Sequence, residues 1–188
     1  MKNEYSSRIT TSRTRRFSWY ARLVLANQRR RYGQELEPAR LWARTPWVFA
    51  ALSLLYGALD RRRSPIDAPL RSLLTVRVSQ INWCAFCVDI NSATGLKRGI
   101  SEGQFAALEH FETSALFDAR QKAALAYAEA MTRTDAGVDD SLMQRLKSHF
   151  DDDSVIELTA IIAFQNMSSK FNAALDVAPQ GFCRKAKE

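Results

Sequence analysis

The run from Asp67 to Asn82 constrains the fold more than any other part of the chain. Leu70, Leu73, Leu74, Val76, Val78 and Ile81 are spaced for a helix, but they cover too much of its circumference for a surface position. Asp67-Ala68-Pro69 supplies the start, a capping carboxylate followed by proline in the first turn. A helix this apolar must be enclosed by other elements. The run therefore predicts a central helix over about 69–82.

The segments around it also read as helices. Phe17, Tyr20, Leu23 and Val24 share one face of a stretch ending near Arg31, and a short helix is expected over about 35–44. Thr45-Pro46 opens an Ala- and Leu-rich helix to Leu59. Another begins near Cys84 and ends by Gly95 or Gly99. Ser101-Glu102-Gly103-Gln104 is a capping-box pattern, Asp118-Ala119-Arg120-Gln121 caps a further helix, and Ser154-Val155-Ile156-Glu157 caps the last long one, to about Ala174. Nowhere do apolar and polar residues alternate as in a strand. The expectation is a single all-α domain over 17–188.

Charge separates the first residues from the rest. The chain carries +7 overall, yet residues 1–31 hold nine of the 27 Lys/Arg and one of the 20 acids. The remainder is close to neutral, so a nucleic-acid-binding surface over the whole body is not supported. Residues 1–16 are read as a basic, poorly ordered arm that can touch an anionic partner. No stretch approaches the roughly 20 apolar residues of a membrane span, and Leu23-Val24-Leu25-Ala26 is too short for a signal-peptide core. A cytoplasmic location is expected.

Chemistry concentrates at Cys84-Ala85-Phe86-Cys87. Two thiols three positions apart at a helix start can close a disulfide, and the partial positive charge of a helix N-terminus favours the thiolate. Zinc is a competing reading, but Cys183, His110 and His149 supply no second close ligand pair. An inert buried thiol pair is another. Cys183 is read as a free thiol or a third redox partner. No cofactor or metal is expected. Arg77 lies in the apolar helix and is expected to pair with an acid or to face the site. Trp42, Trp47, Phe49 and Tyr56 are expected in the core or subunit contacts, with the lining of an apolar pocket as the alternative.

The run Leu73-Leu74-Thr75-Val76-Arg77-Val78-Ser79-Gln80-Ile81-Asn82-Trp83-Cys84-Ala85-Phe86-Cys87 resembles the core segment of the carboxymuconolactone decarboxylase superfamily, in its AhpD-like alkylhydroperoxidase branch. The resemblance covers the core of the domain, about 40–135. The tail from Phe164 to Asn172 and on through Gln180-Gly181-Phe182-Cys183 resembles the C-terminal segment of one subgroup. The resemblance implies an AhpD-like helical bundle that assembles as a homo-oligomer, a trimer or hexamer. It also implies that Cys87 attacks a small hydroperoxide or disulfide substrate, that Cys84 resolves the product as a disulfide, and that an external dithiol reduces the pair.

Two departures bear on this. The peroxidase members carry a glutamate twelve residues before the first cysteine and a histidine four after the second, which together relay a proton. Here those positions are Ser72 and Asn91. Neither titrates near neutral pH. Asp89 is the nearest carboxylate, but its spacing points it away from Cys87. The leading expectation is a thiol-disulfide oxidoreductase with weak hydroperoxide reductase (peroxiredoxin-like, antioxidant) activity. The alternative is a non-enzymatic oligomeric scaffold or redox-sensing module, and lactone decarboxylation ranks third.

Overall fold

A computed structural model describes residues 7–9 and 16–185. Ten α-helices form among them: α1 (Trp19–Tyr32), α2 (Glu37–Trp42), α3 (Pro46–Leu59), α4 (Ala68–Ile81), α5 (Ala85–Lys97), α6 (Glu102–Ala107), α7 (Ala119–Thr132), α8 (Asp140–Lys147), α9 (Asp152–Ala174) and α10 (Phe182–Lys185). A 3-10 turn, Leu108–His110, follows α6. No strand occurs among the described residues.

Helix α4 is the hub, packed against α5, α7 and α9. Asp67 caps it by accepting the Leu70 N–H at 2.9 Å, and nine of its 14 residues are buried. Leu70, Leu73, Leu74, Val76 and Val78 join Leu125, Leu158 and Ile162 in the main core. Burying each such side chain contributes roughly 1.5–3 kcal/mol. Between α4 and α5 the fit is close: a Cβ on Gly95 would lie 3.2 Å from the Ser72 Cβ and 2.5 Å from Phe105. Glycine at 95 is what lets the two helices approach beside Ser72.

Arg77 is buried on α4 and its Nε donates to Glu129 of α7 at 2.6 Å. It pairs with an acid on another helix, the first of the two expectations for it.

Helices α1 to α3 form a cap over α4, α5 and α9. Its small core contains Ala21, Leu25, Ala39, Ala43 and Phe49. The Trp42 ring stacks on Phe171 of α9, centroids 3.7 Å apart, and fixes the cap to the body. Although α3 is apolar along its length, it buries only Phe49. Trp47, Val48, Leu54 and Leu55 stand exposed.

Local signals placed most elements. The Ser101–Gln104 and Asp118–Gln121 capping boxes both form. At Thr45 the position is right but the bond differs, because its hydroxyl donates back to the Trp42 carbonyl at 3.0 Å. Helix α9 starts earlier than expected: Asp151 caps it by accepting the Ser154 N–H at 2.8 Å, which leaves Ser154 inside the first turn. Helix α8 was not anticipated, although Asp139 caps it through the Leu142 N–H.

Of the expected N-terminal arm, residues 1–6 and 10–15 lie outside the described residues. The Arg8 N–H donates to the Leu175 carbonyl at 2.8 Å, at the end of α9.

Candidate active site

The chain leaves α4 through a strained turn. Trp83 takes a left-handed backbone conformation, φ 55°, and its side chain is 89 % exposed. That conformation costs a non-glycine residue about 1–3 kcal/mol and is concentrated at functional positions. The turn delivers Cys84 to the N-cap of α5, where its sulfur accepts the Cys87 N–H at 3.2 Å. Cys84 and Cys87 are joined in a disulfide, with Cα atoms 5.2 Å apart. Both are buried in a cluster with Phe86, Leu41, Val177 and Phe182.

Burial does not isolate Cys87. It lines a cavity of about 410 Å³ between the α1–α3 cap and helices α4, α5 and α9. Cys84 is not among the lining residues. Trp42, Phe49, Phe164 and Ile90 contribute apolar wall. Trp42, Phe49 and Tyr56 thus belong to a pocket as well as to packing, while Trp47 points to solvent, 86 % exposed.

Around the sulfur the polar groups are amides and hydroxyls. Asn172 of α9, 2 % exposed, donates its Nδ2–H to the Cys87 Sγ at 3.2 Å. Its Oδ1 is buried without a hydrogen-bond partner. One turn along α5, Asn91 donates to the Ser79 hydroxyl at 3.4 Å, which also receives Gln165 Nε2–H at 2.9 Å. Ser72 donates to the Ala68 carbonyl and accepts from Arg98 at 3.4 Å. Ser72 and Asn91 therefore line the same cavity as Cys87 but hold different partners.

The far end of the cavity is charged. Arg98 grips Asp60 through two bonds of 2.8 and 2.9 Å, and Arg71 adds a contact at 3.4 Å. Burial presses the Arg71 pKa below its usual value and the charge of Arg98 adds to this, with Asp60 opposing. Nearby Tyr56 is pushed up to about 12, chiefly by burial of its hydroxyl and next by the Asp60 charge. The phenol is therefore neutral at physiological pH, even though 47 % of the residue surface is open.

Asp89 is committed elsewhere. Its carboxylate accepts the backbone N–H groups of Gln180, Phe182 and Cys183 at 2.8–3.0 Å, which fastens the C-terminal segment over α5. Cys183 is outside the disulfide. His110 and His149 are exposed near helix ends. Among the described residues no cluster of His, Cys, Asp and Glu could hold a metal ion, and no helix is long and apolar enough to cross a membrane.

Sequence reasoning missed Asn172, Arg71, Asp60 and Arg98. Helical arithmetic could have found Arg98, since Cys87, Asn91, Thr94 and Arg98 follow one face of α5. Asn172 reaches the sulfur only through the packing of α9, which no local pattern announces.

Comparison with known proteins gives a consistent result. Residues 46–130 match the model of the carboxymuconolactone decarboxylase family. The uncharacterized protein YnjA of Escherichia coli K12 is 44 % identical over 156 residues, covering 83 % of this chain and 86 % of that protein. A crystal structure described as the alkylhydroperoxidase AhpD core of an uncharacterized peroxidase-related protein from Ralstonia eutropha JMP134 superposes with a TM-score of 0.83, at 20 % identity and 97 % coverage of each chain. A variant of the debrominase Bmp8 in complex with 2,3,4-tribromopyrrole superposes with a TM-score of 0.81, at 20 % identity, over 97 % of this chain and 98 % of that one. At that identity the two crystal structures speak to the fold.

Proposed function

The chain belongs to the carboxymuconolactone decarboxylase family, and from that premise we propose that it is a thiol-disulfide oxidoreductase with slow hydroperoxide reductase activity. The observation that carries the reading is the sulfur pair itself: Cys84 and Cys87 lie within bonding reach, and only Cys87 of the two opens on the cavity.

In the reduced protein the Cys87 thiolate attacks the distal oxygen of a hydroperoxide. The O–O bond breaks, an S–O bond forms, and the alcohol leaves after taking a proton from water. The Cys84 thiol then displaces hydroxide from the sulfenic acid, giving the disulfide and one water. A dithiol reduces the disulfide, is itself oxidised to a disulfide, and returns both protons to the pair. Asn172 serves this cycle as a donor to the thiolate, supported by the N-terminus of α5.

What the site lacks sets the rate. Asp60 is the sole carboxylate among the described residues of the cavity lining, and Arg98 holds it at the far end. General acid–base help, worth about 10²–10⁴ in rate, has no described side chain beside Cys87 to supply it. The same fact supports the alternative of a redox-sensing module without turnover. The exposed apolar face of α3, with Trp47 and Leu54, supports assembly as a homo-oligomer. A pair that must be re-reduced each cycle suits a reducing compartment.

The test is peroxide consumption with a dithiol reductant by the wild type and by the Cys84→Ser and Cys87→Ser variants. Slow turnover that needs both thiols supports the oxidoreductase. Stoichiometric disulfide formation without turnover supports the sensor.

A further inference from the structure

The charged end of the cavity is not required by chemistry at Cys87. Arg71 is 7 % exposed; its Nη1 donates to the Ile66 carbonyl at 2.8 Å and its Nη2 lies 3.4 Å from Asp60, yet its Nε–H is buried with no hydrogen-bond partner. Arg98 spends one nitrogen on Asp60, and its other reaches Ser72 and the Ala68 carbonyl only at 3.4–3.5 Å. Arg31 stands at the same wall and makes no ion pair among the described residues. Within the cavity lining three guanidinium groups thus face one carboxylate, Asp60, while Asp67 and Glu157 act on Arg71 from outside it. A buried charged donor without a partner is costly, and native structures seldom leave one unless something fills the place. The neighbouring polar cleft shares Arg31, Asp60, Arg71 and Arg98 with the cavity and adds one charge of each sign, Arg62 and Asp67, the latter paired with Arg120, so the arginines stay in excess there.

The other end is the thiol. Arg98, just past the end of α5, lies eleven positions after Cys87, about 16 Å between backbone positions, shortened by the reach of the arginine side chain. Between them the wall is formed by residues such as Ile90, Leu59, Ile161 and Phe164. A molecule spanning this space has an apolar body and one anionic end. Guanidinium groups match a carboxylate in shape as well as in charge.

We propose that the arginine end of the cavity binds the carboxylate of an amphipathic acid, so that the substrate reduced at Cys87 is an apolar acid bearing its hydroperoxide or disulfide away from the carboxylate. The substrate assignment rests on the oxidoreductase reading, whereas the anion site does not. The carboxylate is a handle that neither gains nor loses electrons. Only the O–O or S–S bond at the other end is cleaved, by the balanced steps given above.

Calorimetry on the full-length oxidised protein tests this with decanoate and 1-decanol, two probes that share a chain and differ in the head. Decanoate should bind about 10-fold more tightly, and Arg98→Gln should remove about that factor for decanoate while leaving decanol unchanged. Asp60→Asn removes the competing carboxylate and should tighten decanoate. This variant keeps all three arginines and guards against a misfolded Arg98→Gln. Equal affinity for the two probes in the wild type, or decanoate binding indifferent to both substitutions, overturns the anion site. Since the oxidised protein performs no thiol chemistry, that result is independent of peroxide consumption. Tight decanoate binding by a protein that never consumes peroxide would retain the anion site and reject the substrate assignment.

Discussion

The two ends of the cavity solve opposite problems. At the thiol end every polar neighbour described is an amide or a hydroxyl: Asn172, Asn91, Ser79 and Gln165 donate or accept but do not exchange protons near neutrality. At the arginine end the groups are permanently charged and held by Asp60. A site of this kind can hold a thiolate and orient an anion, but it must borrow its protons from water. A cysteine pair and a proton relay are therefore separable parts, and the presence of the first does not imply the second.

The largest expected effect falls on the thiol end. Cys87→Ser should abolish peroxide consumption outright. Cys84→Ser should permit one stoichiometric oxidation of Cys87 and then stop. A stopped-flow trace showing turnover by Cys87→Ser would remove the assigned roles.

Supplying the missing relay comes next. Ser72→Glu with Asn91→His should raise the peroxidase rate, up to about 10²-fold. Asn91→His alone should raise it less, since no carboxylate then orients the imidazole. Ser72 sits beside Arg98, so the new glutamate will be held ionised. The gain should vanish when Cys87 is also Ser. A well-folded double variant no faster than wild type would show that positions 72 and 91 do not serve Cys87.

Asn172 has a smaller effect with a definite sign. A hydrogen bond to the thiolate favours the charged form and lowers the thiol pKa. Asn172→Ala removes it, so the pH midpoint for alkylation of Cys87 in the reduced protein should move up. An unchanged midpoint would mean that the contact seen with the disulfide does not persist to the thiolate.

The smallest effect belongs to the charged end. Burial pushes the Asp67 carboxyl up, but hydrogen bonds from the Leu70 N–H and Arg120 outweigh it, leaving the pKa below the usual carboxylate value. A depressed folded pKa gives stability that is present above the unfolded value and is lost as pH falls through the folded one. Asp67→Asn should therefore melt slightly below wild type at pH 6. The gap should close on acidification below the usual carboxylate pKa. A gap that persists in acid would assign the effect to the lost cap rather than to charge.

Much of this was legible in the sequence, and the limits have physical reasons. The density of apolar residues from Leu70 to Ile81 placed α4 at the centre, because no other position covers such a surface. Capping residues located α4, α6 and α7 because the interaction spans only three residues. The same apolar density does not bury α3 within the chain: Trp47 and Leu54 face outward, where subunit contacts were the other expectation. Composition reports that a surface wants covering and does not say by what. The Cys84–Cys87 pair was visible since its spacing is local. The bond from Asn172 and the grip of Arg98 on Asp60 join residues 85 and 38 positions apart, and only tertiary packing brings them together.

The most direct measurement is differential alkylation of the reduced protein, read by peptide mass spectrometry beside a mildly oxidised sample. Cys87, which lines the cavity, should be modified well before Cys84, and the oxidised sample should contain the 84–87 disulfide and resist alkylation at both. Faster modification of Cys84, or two free thiols persisting after mild oxidation, would contradict a redox pair in which Cys87 meets the substrate.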